Sequence, residues 1–135
     1  MTTPMFIEHA HYQQMLQHVS AQLPEEACGL VAGKQSKSVR VYPIENQLHS
    51  ATKFRMEPHA QVQALLELEQ QGWELLAIYH SHPDGPVEPS PTDLAEASYP
   101  EAVALIWSRN AGGWKCRGFT IQEGEFRAFD VQILP

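Results

Sequence analysis

Leu75-Leu76-Ala77-Ile78-Tyr79-His80-Ser81-His82-Pro83 is the stretch from which the fold can be read. Its first five residues form an uninterrupted apolar run. Gly72 bounds it upstream and a proline-rich loop downstream, so it predicts a buried strand. Residues two apart on a strand project to one face, so the imidazoles of His80 and His82 converge. Ser90-Pro91-Thr92-Asp93 brings a carboxylate eleven positions after His82. Two imidazoles and one carboxylate, with a position left for water, form the ligand set of a catalytic zinc site. Each part also has a plainer reading. The histidines could be polar residues that end a strand. Ser90 could be the N-cap of a helix, with Pro91 at its first position and Asp93 closing a capping box. Cap and ligand are compatible, because a carboxylate in the first turn of a helix is held firmly. The loop between them favours a site. Pro83, Pro86, Pro89 and Pro91 are four of the chain's ten prolines, within nine positions. Each fixes φ and removes a donor, which leaves few conformations and suits preorganisation.

Outward from this strand, the chain alternates between helical and extended patterns. Tyr12, Met15, Leu16, Val19 and Leu23 fall on one face of a helix, and Pro24 lies just past its end. Cys28 to Gly33 and Ser38 to Ile44 predict strands; Pro43 ends the second or places it at an edge. Pro58 opens a second helix with Val62, Leu65, Leu66 and Leu68 apolar, and Gly72 is placed to cap it. After the central strand, Ser90 to about Ser98 predicts a short helix stopped before Pro100. Ala102–Trp107 predicts a fourth, buried strand, and Asn110–Gly113 a turn. Trp114–Ile121 and Phe126–Leu134 predict a hairpin around Glu123-Gly124. No internal repeat or linker interrupts the order. The expected architecture is α/β, a mixed β-sheet flanked by helices, in one domain spanning 1–135.

Composition narrows the function. Apolar residues make up 43% and charged residues 19%, ordinary for a globular protein. The net charge of −7 argues against binding nucleic acid by phosphate neutralisation. No window approaches the ~20 apolar residues of a membrane span. Met1 to His9 has no basic, then apolar, signal-peptide pattern. Cys28 and Cys116 make no disulfide framework. These features predict a cytoplasmic protein.

His80, His82 and Pro83, then Ser90 and Asp93, resemble the JAMM motif of the MPN-type metalloproteases, His-x-His-Pro followed by Ser-x-x-Asp. Pro24-Glu25-Glu26-Ala27-Cys28-Gly29-Leu30 resembles the upstream Pro-x-Glu-x-Cys-Gly-Leu context of the same family and points to Glu26 rather than Glu25. The likeness spans nearly the whole chain. It implies an MPN domain, which has a cytidine-deaminase-like fold. It also implies a zinc metallopeptidase with one Zn2+ per chain, held by His80, His82 and Asp93, with water in the fourth position. Zinc lowers the pKa of such a water toward ~7. Glu26 would take the water's proton and pass it to the leaving amine. The Ser90 hydroxyl would stabilise the oxyanion. Without the motif, Glu26 reads as a solvated acid at a helix–strand junction.

The resemblance is to small prokaryotic members that process ubiquitin-like sulfur-carrier proteins. The implied reaction is hydrolysis after the carrier's C-terminal Gly-Gly, with cysteine as one leaving group. The carrier tail is expected to pair with a sheet edge as an added strand. Neither nucleic acid nor membrane is an expected partner, and the choice between monomer and homodimer is left open. Three rival readings compete. A non-catalytic MPN interaction module would have lost ligands, whereas here every motif position is filled. A RadC-like protein is echoed by His82-Pro83-Asp84-Gly85, but such chains add a helix-hairpin-helix region. A zinc nucleoside deaminase needs His-x-Glu and Pro-Cys-x-x-Cys, and the chain has neither.

The remaining candidates are expected to be structural. His9, His11 and His18 sit on or near the first helix, and His49 and His59 flank a polar segment, without spacing to the site. Asn46 is expected in a turn, with orientation of substrate backbone as the alternative, Cys28 as a buried small residue, and Trp107 and Trp114 in packing.

Overall fold

The computed structural model describes residues 3–135. The elements, in chain order, are β1 (Met5–Ile7), α1 (His9–Ala21), β2 (Cys28–Lys34), β3 (Lys37–Ile44), α2 (Pro58–Gln70), β4 (Glu74–His82), α3 (Pro91–Glu96), β5 (Val103–Asn110), β6 (Gly113–Gln122), β7 (Glu125–Phe129) and β8 (Val131–Ile133). They form one mixed eight-stranded sheet in the order β7-β6-β5-β4-β2-β3-β1-β8. β4 is antiparallel to β2 and parallel to β5. The connection from β4 to β5 passes through the proline-rich loop and α3, as a parallel pair requires a crossover.

Helix α1 covers one face of the sheet. Met15 and Val19 are buried in a core with Val31, Tyr79, Leu105 and Trp107, and Tyr12 and Leu16 pack at its margin. The Tyr12 and Trp107 rings lie 5.0 Å apart. Gly29 is required on this face: a Cβ there would collide with the ring of Tyr79. On the opposite face Ala64 of α2 joins Cys28, Leu30, Ile44 and Met56, with Leu65 and Ile78 partly buried. Helix α2 starts at Pro58 as expected, and Glu57 caps it through His59 N and Ala60 N. Val62 and Leu66, part of its apolar pattern, are more than half exposed. Its inward stripe is Leu68 and Leu65, as expected, together with Ala64.

Three differences from the sequence reading have physical causes. First, β4 runs through His82 instead of ending at Tyr79, because β2 and β5 supply ladder bonds on both sides. Second, α3 ends at Glu96, so Ala97 to Tyr99 are non-helical. Third, the segment 126–134 is two strands. It breaks at Asp130, and β7 pairs with β6 while β8 pairs in parallel with β1. The three-residue strand β1 had no periodicity long enough to be read. One of its two partners, β8, lies at the far end of the chain. Pro43 lies within β3, opposite Gly29 of β2 and beyond the point where β1 pairs at Lys37, so on the β1 side no neighbouring strand calls for its missing N–H.

Candidate active site

The site is assembled at the end of β4 on the α2 face. His80 pairs with Cys28 across the β2–β4 ladder. The alignment continues past the ladder, with Ser81 N donating to Ala27 O at 3.0 Å and Ala27 N donating to Ser81 Oγ at 2.7 Å. One step further sets Glu26 opposite His82. The antiparallel register therefore cancels a separation of 56 positions between Glu26 and His82. On the other side of β4, α3 delivers Asp93 from its first turn.

His80 Nε2, His82 Nε2 and Asp93 Oδ2 lie at 3.1 Å from one another in all three pairs. His82 Nδ1 donates to the carbonyl of Pro86 at 2.7 Å, which turns the other ring nitrogen toward the centre. The face of His80 is stacked on Phe54, with centroids 4.5 Å apart. His80 and His82 are 4% and 3% exposed. Burial works against the Asp93 carboxylate, but hydrogen bonds from His80 and His82 outweigh it and hold the group well below the usual carboxylate range. Burial keeps His80 below the ordinary histidine value.

This donor set fits a tetrahedral dication. Ligand bonds of about 2.05 Å imply a ligand–ligand edge of roughly 3.3 Å, close to the observed triangle. Two imidazole nitrogens and one carboxylate oxygen on three corners are the ligand chemistry of catalytic zinc. Without a cation, two buried imidazoles would share one carboxylate oxygen. Among the described residues this is the one group of three or more such side chains that could hold an ion.

Ser90 is the N-cap of α3, as the plainer reading expected. Its Oγ accepts from Asp93 N at 3.0 Å, and Asp93 Oδ2 accepts from Ser90 N at 2.8 Å. The cap uses an oxygen lone pair of Ser90, so the hydroxyl proton stays available. Cap and ligand thus coexist on the same two residues.

Glu26 is 4% exposed, and its Oε1 pairs with no polar group of the described residues. Burial pushes its carboxyl up to about 8, against the pull of His82. Its backbone is clamped: Glu26 N donates to Ser50 O at 2.8 Å, and Asn46 Nδ2 donates to Glu26 O at 3.0 Å. Asn46 is buried and also serves Lys53 O, Leu48 N and Arg55 N. It is the hub of the 45–57 segment, which a turn reading understated. Arg109 braces the proline-rich loop through Nε to Pro83 O at 3.0 Å. Nothing in the single sequence marked Ser81 or Arg109, because their partners are distant in the chain.

The other candidates lie elsewhere. His49 bridges Glu25 and Glu45 at the surface. His18 Nδ1 receives the hydroxyl of Tyr79 at 2.7 Å on the α1 face. Cys28 is fully buried, and burial pushes its thiol up to about 12, which rules out a nucleophile.

A groove of about 400 Å³ opens beside His80 and Asp93. Phe54, Met56, Ile78 and Tyr99 give it apolar walls, and Arg55, Gln61 and Glu96 are among its polar ones. β4 is hydrogen-bonded on both sides, so no sheet edge is open at the centre. β4 itself therefore offers no edge for the expected strand addition, whereas the 54–56 segment that lines the groove is joined by a bridge from Met56 to Asn46 alone.

The sequence matches the family described as prokaryotic homologues of the JAB domain over residues 8–121. The chain belongs to that family. This JAB-domain protein is 34% identical over 122 residues to a probable TtuB-protein conjugate cleaving protease of Thermus thermophilus, covering 90% of this chain and 78% of the relative. It is 30% identical over 123 residues to the CysO-cysteine peptidase of Mycobacterium tuberculosis, covering 89% and 84%. A solution structure of a protein from Desulfitobacterium hafniense superposes with a TM-score of 0.85 at 30% identity, over 96% of this chain and 92% of that one. A JAB1/MPN domain protein from Archaeoglobus fulgidus superposes with a TM-score of 0.64 at 17% identity, over 98% and 100%, which identifies the fold as MPN. The JAB-domain protein is a hydrolase of the JAMM/MPN type, as its motifs implied.

Proposed function

We propose that this protein is a cytoplasmic, single-domain zinc peptidase. It hydrolyses the bond after the C-terminal Gly-Gly of a ubiquitin-like or sulfur-carrier protein, with cysteine as one leaving group. The observation that carries the reading is the triangle of His80, His82 and Asp93, with the unpaired carboxylate of Glu26 alongside. Two relatives support the substrate class: one is named for conjugates of TtuB, the other for CysO-cysteine.

When bound, a zinc ion would supply Lewis acidity and lower the pKa of water at the site. His80, His82 and Asp93 would hold it. Pro86 fixes the His82 tautomer, and the α3 cap fixes Asp93. Glu26 accepts the proton of the attacking water and delivers it to the leaving nitrogen; its burial and missing partner leave its oxygen free for both transfers. The Ser90 hydroxyl donates to the oxyanion formed at the carbonyl. Glycines beside the scissile bond let the backbone approach closely, because they carry no Cβ.

The test is hydrolysis by the zinc-loaded protein of a carrier–cysteine adduct and, separately, of lysine-linked di-ubiquitin. Cleavage of the adduct with slow or absent cleavage of di-ubiquitin is expected. An inert adduct beside rapidly cut di-ubiquitin would overturn the substrate assignment.

A further inference from the structure

The groove beside His80 carries a charge that the hydrolytic chemistry does not use. Arg55 is the only lysine or arginine lining it, amid apolar walls and the acids Asp93 and Glu96. It takes part in none of the ion pairs found among the described residues. Its backbone is held at both polar atoms: Arg55 N donates to Asn46 Oδ1 at 3.1 Å, and Arg55 O accepts from Gln47 N at 2.8 Å. The preceding residue, Phe54, is stacked on the His80 imidazole. The guanidinium therefore springs from a fixed point one residue away from a ring of the metal centre.

We propose that Arg55 binds the free α-carboxylate of the leaving group. This rests on the peptidase reading above and specifies its leaving-group side. In hydrolysis after Gly-Gly, water adds to the glycine carbonyl, the C–N bond breaks and the amine departs with a proton. When the leaving group is an α-amino acid, its carboxylate sits one carbon from that nitrogen. When it is a lysine side chain of a protein, no carboxylate lies there. An unpaired guanidinium in a groove of this size distinguishes the two, since its planar donors match a carboxylate bidentately. The groove has room for one or two residues, with Met56, Ile78 and Tyr99 to cover an apolar or sulfur-bearing side chain. The site thus selects a terminal amino acid over an isopeptide.

Binding tests this separately from turnover. Peptides ending in Gly-Gly-Cys, with either a free carboxylate or a carboxamide, are titrated calorimetrically into the zinc-loaded Glu26→Gln protein. Arg55 is exposed, so the carboxylate should bind about threefold tighter, as a solvent-exposed ion pair allows. Adding Arg55→Gln should bring the ratio near one, and Arg55→Lys should restore part of it. Equal affinities for the two peptides in the protein that keeps Arg55 would overturn the proposal. So would a preference that survives Arg55→Gln. The parent protein is then assayed for hydrolysis of the same peptides. If binding shows the preference and neither peptide is cut, the peptidase reading fails while the carboxylate site stands.

Discussion

At the residue scale, the proposed roles separate holding a metal from turning over substrate. His82→Ala leaves one imidazole and one carboxylate, and elemental analysis should find most of the zinc gone. Glu26→Gln keeps the shape and removes the base. Turnover should fall ~10²–10⁴-fold with metal content near that of the parent. The same substitution has a stability signature in the metal-free protein. The folded carboxyl, near 8, binds its proton more tightly than the unfolded one near 4.5. The parent therefore loses stability as pH rises through that window, and Glu26→Gln does not. Thermal melts should show the variant more stable at pH 8, with the gap closing toward pH 4.5. Ser90→Ala removes a cap worth ~1 kcal/mol and a donor to the oxyanion worth ~10²–10³ in kcat. Both losses are expected, because the cap uses the oxygen and leaves the proton. A lowered melting point with unchanged kcat would reduce Ser90 to a cap.

At the element scale, β4 works on both of its faces. His80 and His82 point to the α2 side, and Tyr79 between Ile78 and His80 points to α1, where its hydroxyl meets His18. Burial holds His18 below the ordinary histidine value, so near neutrality it is the acceptor. The unfolded chain takes up this proton first as pH falls below 6.5, so the pair's contribution is whole above that pH and is lost in acid. His18→Ala strands a buried hydroxyl and should cost about 1–3 kcal/mol at pH 7.5. It should also make stability less steep between pH 5 and 6.5. Denaturant titrations across that range read both effects. The helices divide the labour differently. α1 supplies core, whereas the six residues of α3 bury none of their side chains fully and serve to fix Asp93.

At the scale of the whole molecule, the sheet is drawn together at its ends. β7 and β8 occupy opposite edges in the strand order yet are joined through Asp130 alone. The sheet must therefore curl until its edges meet. Val131 reaches Gly118 of β6 so closely that a Cβ at Gly118 would collide with it. β8 also covers β1, whose Met5 and Ile7 are buried. Truncation after Phe129 would uncover these two side chains and should cost on the order of 2–4 kcal/mol. A calorimetric melt checks this, with zinc content measured in parallel because His80 and His82 lie on β4, mid-sheet and away from this edge. The sequence by itself determined the central strand, the paired imidazoles on one face, the cap that carries Asp93 and the α/β class. Each rests on a period or spacing shorter than a dozen residues, and local sterics settle those. The joining of Glu26 to His82 was legible only through resemblance to a family. What the tertiary structure decided is long-range: the β2–β4 register that brings Glu26 to the centre, the Asn46 hub, the groove with Arg55, and the splitting of the last strand at Asp130. Strand pairing is chosen by the burial of both faces at once, and no local pattern in β1 or β8 encodes a partner at the other end of the chain.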